Sequence, residues 1–392
     1  IRLGKTAEAQ IAIATAEKEP ADYCFPNALE AIEALQCVVD FAGKAPKALY
    51  YLGNLWYDKR RYPTAIAAWE RSSREDETFP TVWRNLSLAY FNKMNRPDEA
   101  VALLEKAFRL DHTDARVLME LDQLYKRLNR PHIERLCFLE QHIDIVMTRD
   151  DLYLEYVTLL NQTGQYREAI RRIDQRKFHP WEGGEGKVPA QYQLARLELA
   201  KELINRKKYD DALALIDECY IYPTHLGEGK LPGAQENDFN YYKAYILQQQ
   251  GRPEEAHSLF VKACSGNSQP AAAMYYNDQK PDKIFYQGLA YRKLGEEEKA
   301  RSRFNQLITY GEEHLFDQFK MDYFAVSLPD LLIWEDDMDK KNRIHCNYLM
   351  ALGHLGLGNR TKAEQFFDIA ASMDNNHQGV QIHRKLMNTI LS

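Results

Sequence analysis

The chain has 392 residues, of which 45% are hydrophobic and 28% charged, ample material for a core. No stretch approaches the ~18 uninterrupted apolar residues of a membrane span. Lys and Arg number 51 against 57 Asp and Glu, a net charge of −6 that lacks the broad cationic surface a phosphate backbone demands. Membrane and nucleic acid are thereby set aside as partners, and length leaves two or three domains or one elongated array.

The chain opens at Ile1, and Ile1 to Thr15 lacks the apolar core of a signal peptide, which predicts one part of a longer protein. In this segment, 1–45, Asn27 is placed to cap an apolar helix carrying Ala31, Ile32, Leu35 and Val38, read as a terminal capping helix. From residue 46 a two-part phrase begins. Tyr51-Leu52-Gly53 with Trp56 is followed by Ala65 and Trp69; Trp83, Leu86, Ser87 and Tyr90 are followed by Ala100 and Leu104. A degenerate copy has Leu118, Leu121, Asp122 and Tyr125, then Ile133 to Gln141. Further copies pair Tyr156 with Ala169, Ala200 with Ala212, Ala244 with Ala256, Gly288 with Ala300, and Ala351 with Ala363. The helix Gln378 to Leu391 closes the series, so that 46–376 is read as the array and 377–392 as its C-terminal cap.

Small residues at Gly53, Ser87, Ala200, Ala244, Gly288 and Ala351 let one helix approach its partner, and the large apolar residues fill the space between neighbours. Gly164, Gly251, Gly295 and Gly358 fall between a first and a second helix, where a glycine ends one helix and a proline or acidic residue opens the next. This pattern resembles the tetratricopeptide repeat, two antiparallel helices with a period of about 34 residues. It predicts an all-α fold, a right-handed α-α superhelix of about eight helix-turn-helix repeats starting near 46, 80, 115, 150, 193, 237, 281 and 344.

The later copies are longer, and the excess falls between repeats at about 176–191, 222–236, 264–280 and 309–343. Gly184-Glu185-Gly186-Lys187-Val188-Pro189 and Gly227-Glu228-Gly229-Lys230-Leu231-Pro232 share one motif and are expected at equivalent positions. Neither is a phosphate loop: Trp181 and Thr224 stand where the first glycine is needed, and Val188 and Leu231 where Ser or Thr is needed. One reading is structural, with glycines supplying positive φ while His179-Pro180-Trp181 pins the loop. The other is a ligand site in which Trp181 offers a stacking face and Glu182, Glu185, Glu228 and His225 offer polar partners for a sugar or peptide. The last insertion mixes Phe316, Phe319, Tyr323, Phe324 and Trp334 with Glu335-Asp336-Asp337, either a solvated helix end or a docking surface.

Side chains beside the packing positions of the first helices face whatever the array binds. In the first three copies these are Tyr50, Asn54 and Tyr57; Arg84, Asn85 and Phe91; and Arg116, Met119 and Gln123. Asn54, Asn85 and Arg116 match three of the five places of the carboxylate-clamp repeat proteins, but Tyr50 and Glu120 stand where bases belong. Amides and rings in a groove suit an extended peptide or a carbohydrate; packing on another domain of the same protein is the other reading.

Six dispersed cysteines with no CxxC argue for a reducing, cytoplasmic setting without disulfides or structural zinc. No catalytic motif is present, and no cofactor or metal is expected.

Three further stretches resemble one bacterial family of largely undefined function. They are Asp22 to Asn27 with Tyr50 to Tyr62, Phe178 to Gly186 with Leu226 to Lys230, and Tyr323 to Asp330. In that family a galactose-mutarotase-like β-sandwich region precedes the repeat array. The resemblance implies that this chain is the C-terminal part of such a protein, with a link to carbohydrate metabolism, and it carries over no catalytic residue. The expected function is a scaffold for a partner protein or for the upstream domain. The alternative is an accessory region whose glycine-rich loops complete a sugar site.

Overall fold

The computed structural model describes residues 1, 3–272, 278–318 and 333–387, and all regular structure among them is helical. Phe319, Tyr323, Phe324 and the rest of the 323–330 motif lie outside the described residues. The chain forms two compact units, one of residues 1–128 with 330–335, the other of 129–329 with 336–392.

The first unit begins with α1 (Thr6–Ala16) and α2 (Leu29–Ala42). Pairs then follow: α3 (Pro46–Asp58) with α4 (Tyr62–Glu75), α5 (Pro80–Met94) with α6 (Pro97–Leu110), and α7 (Ala115–Arg127). The second unit opens with α8 (His132–Gln141), whose place in the chain is that of α7's second helix, and the short α9 (Ile143–Val146). It continues with α10 (Asp150–Gln162) and α11 (Tyr166–Asp174), α12 (Lys187–Asn205) and α13 (Tyr209–Cys219), and α14 (Asn237–Gln249) and α15 (Pro253–Ala263). Last come α16 (Pro281–Lys293) and α17 (Glu297–His314), α18 (Met338–Gly356) and α19 (Arg360–Met373), and α20 (Gln378–Leu386).

Close approach within a pair depends on the small residue of the first helix. A Cβ built on Gly53 would lie 2.2 Å from the Trp69 ring, and one on Gly288 would lie 2.4 Å from Phe304. Ser87 is buried and donates to Ala100 O at 2.6 Å, so its hydroxyl is satisfied where it touches the partner helix. Alanines 65, 100, 169, 212, 256, 300 and 363 are all almost fully buried.

The turns within pairs share one geometry. A single residue adopts positive φ in each: Arg60, Asn95, Asn129, Gly164, Lys207, Gly251, Gly295 and Gly358. In seven of them the next N–H returns to a carbonyl one turn back, as from Arg61 to Trp56 at 2.8 Å and from Arg252 to Leu247 at 2.9 Å, which satisfies a helix-end acceptor. Only four of the eight are glycine, so punctuation read from glycines alone misses half of these turns.

Several expectations are corrected. Ala28 rather than Asn27 occupies the cap position of α2, and no side chain caps that helix. The stretch 309–343 is partly helical: α17 runs on to His314, where Gly311 packs so closely that a Cβ would lie 2.7 Å from Cys346 O of α18. Helix α18 starts at Met338 because Asp337 accepts from Lys340 N at 2.8 Å. Helix α12 starts at Lys187, directly after Gly186 of the first glycine-rich loop, whereas in the second loop Lys230 precedes α14 by seven residues. The two motifs are therefore not equivalent in the fold. Helix α20 does not simply close the end of the stack. It lies against the first helices α12, α16 and α18 through the contacts given below.

Candidate functional site

The face shared by α3, α5 and α7 gathers the expected groove residues, and they bond to one another. Asn54 Oδ1 accepts from Trp69 Nε1 at 3.1 Å and from Asn85 Nδ2 at 3.0 Å. Arg84 donates to Asn85 Oδ1 at 3.1 Å and grips Glu120 with two bonds of 2.7 and 2.6 Å. Arg116 adds a third bond to Glu120 at 2.9 Å. Glu120 is fully buried, so both arginines are engaged by a carboxylate of the protein itself. Burial alone would weaken the charge of Arg84, but Glu120 outweighs it and holds the guanidinium above its ordinary pKa. Tyr50 is buried edge-on against Phe79, with centroids 4.9 Å apart. Tyr57 packs edge-on against Tyr62, and burial raises its hydroxyl pKa.

The same face holds a segment that lies more than two hundred residues further along the chain, within the same unit. Trp334 is 1% exposed, meets Phe91 edge-on at 5.2 Å, and donates from Nε1 to Glu120 O at 3.1 Å. Asn92 brackets it, donating to Ile333 O at 2.8 Å and accepting from Glu335 N at 3.0 Å. Arg127 donates to Trp334 O at 2.9 Å and to Glu335 O at 3.2 Å, and the Glu335 carboxylate pairs with Lys93. Asn92, Lys93 and Arg127 are functional candidates that sequence reasoning missed. The only available signal was their place on the inner helices. Of the acidic run, Glu335 is thus a contact and Asp337 a helix cap, so the run is not simply a solvated helix end.

The second unit also holds a piece of its own chain on its inner helices. Arg135, 1% exposed, donates to Asn376 Oδ1 at 2.7 Å and pairs with Glu155 at 2.7 Å. Gln162 donates to Asn376 O at 2.8 Å, and the side-chain amides of Gln191 and Gln378 exchange hydrogen bonds of 2.8 and 3.0 Å. In α20, His383 packs against Phe285 and Tyr286 and bonds Tyr348 at 3.0 Å.

The first glycine-rich loop encloses a cavity of about 260 Å³ lined by His179, Pro180, Trp181, Glu182, Gly184, Glu185, Val188, Leu226 and Glu228. Gly184 is required here, since a Cβ would lie 2.4 Å from the Trp181 ring. The loops interlock where Gly186 N, at the start of α12, donates to Glu228 Oε2 at 2.7 Å. Burial raises the Glu228 pKa; that N–H bond opposes the rise and neighbouring Glu185 adds to it. Four of the five residues nominated in these loops meet at one cavity. His225 is the exception: its ring lies by Tyr192 and 3.8 Å from Asp174, while its backbone carbonyl accepts from Phe178 N at 2.8 Å. It holds the loops together and does not line the cavity.

Neither buried cysteine is primed as a nucleophile. Burial pushes the Cys219 thiol up, and that of Cys346 up to about 11, the reverse of thiolate activation. Among the described residues no helix is long and apolar enough to cross a membrane.

Comparison with known proteins fits this geometry. Residues 80–114, spanning α5 and α6, and residues 284–310, spanning most of α16 and α17, match tetratricopeptide repeat models. Both units are built of tetratricopeptide-type repeats. Among solved structures, the chain is similar to YrrB, described as a TPR protein with an unusual peptide-binding site, at 15% identity over 48% of this chain and 91% of that one, with a TM-score of 0.36. It is also similar to Naa15/Naa10 bound to HypK-THB, at 12% identity over 98% and 66%, with a TM-score of 0.43. A tetratricopeptide repeat protein from Parabacteroides merdae ATCC 43184 matches at 14% identity over 72% and 99%, with a TM-score of 0.35.

Proposed function

We propose that this chain is a tetratricopeptide-repeat scaffold that holds extended protein segments on the faces of its first helices, without chemistry of its own. The observation that carries this reading is the grip on residues 333–335. Two of the groups named there, Asn92 and Arg127, bond the main chain with four hydrogen bonds, which is how a groove holds a peptide of varied sequence, and one apolar pocket takes a side chain. The reading extends to an array that serves as the C-terminal interaction region of a longer cytoplasmic bacterial protein, with its upstream domain as one partner. Calorimetric titration of the chain with extended peptides, and with that domain expressed separately, tests it. Binding of either supports the scaffold, and binding of neither at millimolar concentration removes it.

A second reading, an accessory sugar site, is favoured by the cavity at Trp181. A ring face with Glu182, Glu185 and Glu228 around it offers the stacking surface and acceptors that a saccharide uses. An oligosaccharide screen decides it: binding that Trp181→Ala abolishes supports the site, and binding unaffected by that change places the sugar elsewhere.

A further inference from the structure

We propose that the face formed by α5 and α7 is a recognition site for a tryptophan-acidic peptide, and that residues 333–335 are its built-in occupant. This rests on the scaffold reading and names the partner's chemistry. Each element of the grip reads a feature that any peptide of this type carries. The ring of Trp334 enters a pocket made by Phe91 and the backbone of Glu120, leaving it 1% exposed, the kind of buried aromatic anchor that dominates interfaces. Asn92 spans the anchor by bonding the residue before it and the residue after it, at 2.8 and 3.0 Å, and so fixes the direction of the main chain. Arg127 takes two successive carbonyls at 2.9 and 3.2 Å. Lys93 pairs with Glu335 and so selects an acidic residue after the tryptophan.

The clamp-like residues deeper in the same face cannot compete for this role, because Arg84 and Arg116 are engaged by Glu120. The free specificity therefore lies in the Trp pocket and the Lys93 contact. Nothing in the grip requires the occupant to be covalently joined to the groove. Its attachment acts through concentration: a tethered segment competes as though present at about millimolar level. An external peptide of the same chemistry therefore binds weakly to the intact chain and far better once the occupant is disabled.

The probe is a fluorescein-labelled, N-acetylated peptide of sequence Ile-Trp-Glu-Asp-Asp-Met, followed by anisotropy with the full chain. Trp334→Ala should raise its affinity at least tenfold over the unaltered chain, and Glu335→Lys should raise it more modestly. Adding Asn92→Ala or Arg127→Ala to Trp334→Ala should remove at least tenfold of that gain, and a peptide with alanine for tryptophan should not bind. A Trp334→Ala chain with unchanged circular dichroism that fails to bind the peptide overturns the proposal. Binding that survives Asn92→Ala overturns it too, while leaving the scaffold reading intact, since the peptide then sits elsewhere. The unaltered chain supplies a test that does not depend on any variant folding. Millimolar peptide should speed hydrogen exchange at the Glu335 amide as the occupant is displaced, and exchange that stays unchanged counts against the proposal.

Discussion

Glu120 has no contact with water and is neutralised by two arginines, Arg84 of α5 and Arg116 of its own helix α7. Removing one partner of a buried pair leaves a charge the interior cannot solvate, at a cost of about 3 kcal/mol or more. Arg84→Ala should therefore lower the denaturant stability of the first unit by about 3 kcal/mol, whereas Arg84→Met with Glu120→Leu should restore most of it. The turn residues carry an opposite opportunity. Lys207 is exposed and held at φ 59°, a conformation that favours glycine. Lys207→Gly is expected to stabilise the second unit by about 1 kcal/mol, read as a shift in its unfolding midpoint at unchanged slope. Sequence reasoning placed Asn54, Asn85 and Arg116 on one shared face because helical spacing assigns faces. It could not see that Trp69 would engage Asn54 or that Glu120 would bind Arg84 as well as Arg116, since those contacts join different helices at distances no local period encodes.

At the scale of elements, α20 is the piece whose location the sequence left open. An apolar helix at a chain end reads as a cap, and only its contacts with α12, α16 and α18 place it on the inner side. Its His383 is 3% exposed, with Nε2 lacking a hydrogen-bond partner among the described residues. Burial pushes its pKa down to about 4, with Asp282 opposing the shift and Lys201 assisting it. The unfolded chain, whose histidine titrates near 6.5, thus takes up a proton at a pH where the folded form refuses it. The stability from the neutral ring is complete above pH 6.5 and is lost as pH falls towards 4, about 3 kcal/mol for this residue. Unfolding midpoints measured across that window should fall steeply, and the slope should flatten in His383→Phe. The glycine-rich loops show a different limit. Their shared motif predicted equivalent positions; the Gly186–Glu228 bond joins the two loops, yet one opens directly into a helix and the other does not.

On the scale of the molecule, the repeat period was legible along the whole array, because small and large residues recur wherever a first helix meets a second. The division into two units was not legible, since each repeat resembles the next and the boundary falls inside what the sequence reads as one repeat, between α7 and α8. The histidines that burial depresses, His345, His354, His377 and His383, all lie in the second unit among the described residues. Mild acid should therefore loosen the second unit first, with hydrogen exchange rising in helices α8 to α20 while α3 to α7 keep their protection; uniform loosening would contradict this.

The place of Trp334 in the first unit also bears on how the protein is made. A ribosome adds about 5–20 residues per second, so the helices up to residue 128 emerge roughly 10–40 seconds before residues 333–335 exist to cover their inner face. For that interval the nascent chain carries an open apolar pocket beside Phe91 on otherwise complete repeats. A chaperone or a partner that reaches the pocket then meets it without an intramolecular competitor, so the first binding event in the life of the molecule can precede the end of its own translation.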